Sequence, residues 1–253
     1  MVSSVLIDIG NSRLKWALKH YDRLELGRPL PFVDGIFDFD RIWENLEPPS
    51  RILVSNVLGE NITQSLKQWV QNHWSAPVEI VRSCEYAHGV SNGYLKPDRL
   101  GVDRWICMIA ARALYKEPVC VVDCGTAITA DVLDGLGRHQ GGAICPGVKL
   151  MQDVLVRGVP KLSLEGVGPG GLLGRDTGAG IYSGTLTAAA GLIEKFLQEA
   201  EQFMRTRLKL LITGGDACLV AEKLAIGHVH IPDMVLKGLA LIESGGDFDA
   251  LSD

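Results

Sequence analysis

The chain has 253 residues, 47% of them hydrophobic, and a formal net charge of −5. That length suits one large domain or two compact ones, with ample apolar content for their cores. The acidic balance gives no electrostatic case for nucleic acid or an acidic membrane as partner, and no apolar run is long enough to span a bilayer. Met1-Val2-Ser3-Ser4 leads into the first strand without a charged leader, so the expected location is the cytoplasm.

Val5–Ile9 is an apolar, β-branched run and reads as a buried strand. Asp8 stands at its end, and Gly10 permits a tight turn. Ser12–Leu18 then alternates, with Arg13 and Lys15 on one face and Leu14 and Trp16 on the other, which makes it the second strand. Arg23–Pro29 supplies a third. Asp38–Glu47 reads as a short helix stopped by Pro48-Pro49. Arg51–Ser55 is a buried strand ending in Asn56. Asn61–His73 is a helix with Ile62, Leu66, Trp69 and Val70 on its apolar stripe, and Val78–Val81 is another strand. Hairpins first and crossovers after predict a mixed sheet covered by helices. Trp16, Trp69 and Trp105 are expected in the core.

Ser83–Leu100 reads as an ordered loop carrying Tyr94. Gly101-Val102-Asp103-Arg104 opens a helix that buries Trp105, Ile106, Ile109, Ala110 and Ala113. Pro118 punctuates the chain, so the expected domains are 1–117 and 118–253. Val119–Asp123 and the strand beginning at Thr126 form a hairpin whose turn holds Asp123, Gly125 and Thr126. Turn N–H groups of this kind can face anionic oxygens, and Asp123 can hold a cation that screens them. The order strand, Asp, one residue, Gly, small polar residue repeats that of Asp8–Ser12, and Asp8 and Asp123 lie 115 residues apart in a chain of 253. A duplicated domain follows, with both turns facing one cleft; two unrelated hairpins are the alternative.

Gly141–Gly147 reads as a glycine-rich turn leading into a helix over Val148–Val156. Ser163–Gly180 holds seven glycines in eighteen residues and is expected to be irregular, a mobile cover for a site. Thr185–Arg207 is a long helix, and Arg205–Lys209 is its solvated basic end. Leu208–Thr213 is a strand ending in Gly214-Gly215-Asp216-Ala217, where glycines could let backbone lie against a nucleoside. Ala217–Leu224 is helical, His228–Ile231 a short strand, and Met234–Ser244 a closing helix. None of the six cysteines form C-x-x-C, so they read as reduced thiols. His228 and His230 lack further metal ligands nearby.

The segments D-I-G-N-S-R-L-K-W, G-V-D-R-W, D-C-G-T-A-I-T-A-D and G-G-A-I-C-P-G, in this order, resemble the type III pantothenate kinases. L-L-G-R-D-T-G-A-G-I-Y-S-G and T-G-G-D-A follow in the same pattern. This is a branch of the acetate/sugar kinase, heat-shock chaperone and actin superfamily. Ser12 stands where threonine is usual, Val102 where alanine is frequent, and Asp176 where asparagine is frequent. The resemblance implies an α/β fold of two RNase H-like domains, each a mixed five-stranded sheet with flanking helices, facing a cleft as in the actin-like ATPases. It implies ATP-dependent phosphorylation of pantothenate to 4′-phosphopantothenate, the first step of coenzyme A biosynthesis.

The same resemblance implies roles. Asp8, Ile9, Gly10, Asn11, Ser12, Arg13, Leu14 and Lys15 bind ATP, together with Thr126. Tyr94, Gly101, Val102, Asp103, Arg104 and Thr177 bind pantothenate, whose carboxylate, amide and hydroxyls suit such partners. Asp123 is the ligand of a monovalent cation, K⁺ or NH₄⁺, and Mg²⁺ accompanies the nucleotide. A homodimer would complete the acceptor pocket. Asp103 is the candidate proton acceptor: it opens a helix whose dipole favours the ionised carboxylate, and Arg104 adds a positive charge, although an Asp there could merely cap the helix. Two other functions fit the same residues less well: a superfamily kinase with another acceptor, and a non-catalytic accessory regulator of gene expression.

Overall fold

The computed structural model describes residues 4–245 except 22, 34–35, 160–161 and 163–171. The chain packs as two units. One runs to Leu114 and takes back the chain from Asp233 onward; the other is Tyr115–Pro232.

The first unit begins with β1 (Ser4–Ile9) and β2 (Arg13–His20), an antiparallel hairpin registered from Ser4 opposite Lys19 to Ile9 opposite Leu14. β3 (Arg23–Leu26) and β4 (Leu30–Pro31) both pair with β2. The helix expected over Asp38–Glu47 is only α1 (Asp40–Trp43). Phe37 and Phe39 are both buried just before it. β5 (Arg51–Asn56) lies parallel to β1, α2 (Glu60–His73) follows, and β6 (Val78–Ile80) lies parallel to β5. The strand order is β3-β2-β1-β5-β6, with β4 as a sixth strand beside β2.

One face of this sheet, through Ile7, Ile9, Trp16, Ile52 and Val54, meets an aromatic layer that includes Phe39, Trp43 and Trp74. The Trp43 ring stacks on Phe39 at 5.4 Å and meets Trp16 edge-on at 5.9 Å. The loop after β6 is ordered, as expected, by β7 (Tyr86–Ala87) paired with β8 (Val90–Ser91) and a 3₁₀ turn at Pro97–Arg99. It leads into α3 (Val102–Leu114), buried from Arg104 to Ala111.

The second unit carries β9 (Val119–Cys124), β10 (Ala127–Leu133) and β11 (His139–Pro146), then α4 (Val148–Gly158) and α5 (Thr177–Met204). β12 (Lys209–Thr213), α6 (Ala217–Ala221) and β13 (Val229–His230) complete it. Its strand order is β11-β10-β9-β12-β13. The first three strands are antiparallel and the last two parallel. That is the order and sense of β3-β2-β1-β5-β6, so the duplication suggested by the two D-x-G turns is present in the folded chain.

Three further expectations change. Residues 141–146 are not a turn but most of β11, an edge strand whose Gly141–Pro146 pair in continuous register with Val132–Ala127 of β10, the register shifting only beyond Val132; the ladder is made by backbone groups and tolerates glycine at an edge. α5 starts at Thr177 rather than Thr185, because Asp176 caps it, its Oδ1 accepting from the Ala179 N–H at 2.8 Å. Of the rest of the expected cover, residues 163–171 lie outside the described residues. Finally, α7 (Met234–Glu243) packs on α3 and β1 of the first unit rather than staying with the second. A Cβ on Gly238 would lie 2.4 Å from Ile106 Cγ2 and 2.5 Å from the Ile106 carbonyl oxygen, so glycine is what lets the two helices touch. Lys15 to Asp233 at 2.9 Å and Lys19 to Glu243 at 2.6 Å clamp the two ends of α7 to β2.

Candidate active site

In the first unit the β1–β2 turn closes with the Gly10 N–H donating to the Arg13 carbonyl at 3.1 Å. In the second, the β9–β10 turn closes with the Gly125 N–H donating to the Ala127 carbonyl at 3.0 Å. Asp8 stands opposite Lys15 on one side and Ser55 on the other. Asp123 stands opposite Thr129 and Thr213 in the same way. Each unit therefore carries a polar row across three strands at the mouth of its hairpin. Asn11, Ser12 and Arg13 are exposed on the first turn. Ile9 and Leu14 are wholly buried, so only their backbone could meet a nucleotide.

Two glycine motifs explain themselves around the second turn. The Gly147 N–H donates to the Thr126 carbonyl at 2.9 Å, and a Cβ there would lie 2.1 Å from the Gly125 carbonyl oxygen. The end of β11 thus lies directly on the Gly125–Thr126 turn. Gly214 has φ +103°, and a Cβ would stand 2.3 Å from Asp123 Oδ1 and 2.4 Å from the Cys124 carbonyl oxygen. The Asp216 N–H donates to that same carbonyl at 2.9 Å. Burial first, and then the charges of Asp123 and Asp216, push the Cys124 thiol up to about 12. Gly214 therefore backs the Asp123 carboxylate; this strand-to-helix turn is what its conformation serves.

Tyr94, Asp103 and Arg104, the residues expected on the acceptor side, come together at the start of α3. Asn92 braces the loop: its Oδ1 accepts from the Tyr94 N–H at 3.0 Å, and its Nδ2 donates to the Cys84 and Pro97 carbonyls, both at 3.1 Å. Arg104 is only 6% exposed. Its Nη1 donates to Tyr94 Oη at 2.6 Å, and the guanidinium carbon sits 5.4 Å from the Tyr94 ring centroid. Asp103 Oδ1 accepts from the Arg104 N–H at 2.8 Å, and a Cβ on Gly101 would lie 2.7 Å from that oxygen. Each member of G-V-D-R thus has a local reason: Gly101 clears space for the carboxylate, Val102 starts the helix, Asp103 sits at its positive end, and Arg104 turns inward to Tyr94.

Residues 4–199 match the sequence model of the type III pantothenate kinase family. The chain belongs to the type III pantothenate kinase family. Curated type III pantothenate kinases resemble it over most of their length. That of Nitrosococcus oceani is 37% identical over 252 residues, covering 94% of this chain and 92% of its own. That of Halorhodospira halophila is 36% identical over 244 residues, covering 93% and 95%.

Among solved structures, a putative Baf family transcriptional activator from Campylobacter jejuni superposes with a TM-score of 0.60 at 23% identity, covering 95% of this chain and 98% of its own. The activator of 2-hydroxyisocaproyl-CoA dehydratase from Clostridium difficile, with bound ADPNP, gives 0.50 at 12% identity, covering the whole of both chains. These likenesses show the fold alone.

Lys15 is already engaged, with Asp233. Thr177 is exposed at the first residue of α5, in the second unit. Among the described residues no group of three His, Cys, Asp or Glu side chains could hold a metal ion. His228 and His230 do not form one: His228 Nδ1 lies 3.1 Å from the Ile226 carbonyl, and His230 Nδ1 lies 3.9 Å from Cys218 Sγ. Nor is any helix among the described residues long and apolar enough to cross a membrane. None of the six cysteines forms a disulfide. Sequence reasoning missed the hydroxyls beside the two carboxylates, Ser55 and Thr213. The signal was there: R-I-L-V-S-N and K-L-L-I-T-G are both apolar strands ending in a hydroxyl, one in each half.

Proposed function

We propose that this chain phosphorylates pantothenate with ATP, giving 4′-phosphopantothenate, the first step of coenzyme A biosynthesis, in the cytoplasm. The observation that carries the reading is the Gly101–Arg104 helix start, with its carboxylate beside a buried arginine and Tyr94, in a chain of this family. Asp103 takes the proton of the pantothenate hydroxyl as its oxygen attacks the γ-phosphorus. The bond from that phosphorus to the β–γ bridging oxygen breaks, and ADP leaves. Little covalent help is asked of the protein, so positioning and charge neutralisation dominate.

The hairpins Asp8–Lys15 and Asp123–Thr126 take the ATP phosphates. Arg104, Tyr94 and Thr177 take the carboxylate, amide and hydroxyls of pantothenate. The oxygens around each hairpin suit hard cations: Asp123 Oδ1, lodged where a Gly214 Cβ would stand, for K⁺ or NH₄⁺, and Asp8, beside the orphaned Ser55 hydroxyl, for Mg²⁺. Such ions, when bound, neutralise phosphate charge. A second copy of the chain completes the acceptor pocket. The exposed apolar side chains Leu150, Val154 and Leu155 on α4, with Ile144 on the edge strand β11, support such a homodimer.

A coupled ADP-release assay with pantothenate, run in K⁺ and in Na⁺ or Tris alone, tests this. We expect pantothenate-dependent turnover that needs K⁺ or NH₄⁺ and a dimeric mass by light scattering. No ADP release on adding pantothenate refutes the acceptor, and full activity without K⁺ or NH₄⁺ refutes the role of Asp123.

A further inference from the structure

Ser55 is wholly buried, and its Oγ makes no hydrogen bond. A buried hydroxyl with no partner is costly, and native proteins keep few of them. Its place is specific. Ser55 and Asp8 are register partners on the parallel strands β5 and β1, so their side chains leave the same face of the sheet. That face is the one against α7, because Ser4, Lys15 and Lys19 on it all reach Asp233 or Glu243. The opposite face carries Ile7, Ile9, Ile52 and Val54 into the aromatic core. Ser55 is thus not a stray polar residue of the apolar layer; it flanks Asp8. The second unit repeats the arrangement, with buried Thr213 in register with Asp123.

We propose that Ser55 is a positioning residue for Asp8: its hydroxyl holds one buried water against the Asp8 carboxylate, and the two together fix the hydration shell of the divalent cation that accompanies the nucleotide. This rests on the reading of the Asp8 hairpin as a phosphate-binding element. Asp8 belongs to no cluster of metal-holding side chains among the described residues, so a cation here must be shared with phosphates and water. Mg²⁺ keeps several of its waters in such sites, and those waters need protein partners of fixed orientation. A buried water needs two or more polar neighbours, and Ser55 Oγ with the Asp8 carboxylate supplies them.

The test is calorimetric titration of the full chain with ADP, in Mg²⁺ and in EDTA. Ser55→Ala is expected to weaken binding in Mg²⁺ by about 10–100-fold while binding in EDTA stays within about twofold of the parent. Ser55→Thr keeps the hydroxyl, as the second unit does, and is expected to behave as the parent. Unchanged affinity of Ser55→Ala in Mg²⁺ overturns the proposal, as does an equal loss with and without Mg²⁺. A folded Ser55→Thr that behaves like Ser55→Ala overturns it as well. Asp8→Ala separates the two levels. If it leaves the Mg²⁺ dependence intact, the reading of the hairpin fails; if it abolishes that dependence while Ser55→Ala does not, only the role of Ser55 fails.

Discussion

Gly214 and Gly215 look alike in the sequence, yet the structure assigns opposite consequences to replacing them. At Gly214 the backbone has φ +103°, and a new Cβ would meet Asp123 Oδ1 at 2.3 Å and the Cys124 carbonyl oxygen at 2.4 Å. The Asp123 side chain can rotate away. The Cys124 carbonyl cannot, because it accepts from the Asp216 N–H at 2.9 Å and belongs to β9. Gly214→Ala therefore combines an unfavourable backbone conformation, about 1–3 kcal/mol, with overpacking, about 1–3 kcal/mol. The smaller entropy of the unfolded variant returns about 0.4–1 kcal/mol. A net loss of about 1–6 kcal/mol lowers the melting temperature by about 2–24 °C for a chain of this size. At Gly215 an added Cβ meets nothing within 4 Å, so Gly215→Ala should melt within about 2 °C of the parent. Differential scanning calorimetry of the three proteins decides the matter. A Gly214→Ala protein as stable as Gly215→Ala would refute the claim that the left-handed backbone and the Cys124 carbonyl require glycine at 214.

Asp103→Asn keeps an oxygen to accept from the Arg104 N–H and keeps a good helix-start residue, so it should fold as the parent does, with kcat lower by about 10²–10⁴. Steady-state kinetics on a well-folded variant check this, and kcat within about threefold of the parent removes Asp103 from the chemistry. The other expectation concerns acid. Burial raises the Glu243 carboxyl, but hydrogen bonds from Lys19 and Ser4 outweigh it and hold the group below its ordinary 4.5. The bonded form is the ionised one, so its stabilising contribution is complete above about pH 4.5 and is lost as pH falls through the depressed value. Glu243→Gln should lower stability at pH 7 by about 1 kcal/mol and flatten the acid limb of melting temperature against pH; an unaltered acid limb would show that the Lys19–Glu243 clamp contributes nothing.

Strands and turns of short range were legible in the chain itself. Val5–Ile9 and Val119–Val122 are apolar runs closed by Asp and then Gly, and such hairpins need only neighbours in sequence to form. Tyr94 and G-V-D-R were legible as motifs because each residue answers a local demand of a helix start or a braced loop. Elements whose composition misleads were not. Glycines at 141 and 142 suit a turn until β10 offers a ladder, and Thr177–Gly180 suits a loop until Asp176 caps it. What tertiary structure alone decided is long in range. It paired Asp8 with Ser55 and Asp123 with Thr213, laid Gly147 on the Gly125–Thr126 turn, and returned α7 to the first unit. Strand register and helix docking are set by which apolar faces can be buried together. That burial joins residues as far apart as Lys15 and Asp233, whose partnership no local pattern encodes.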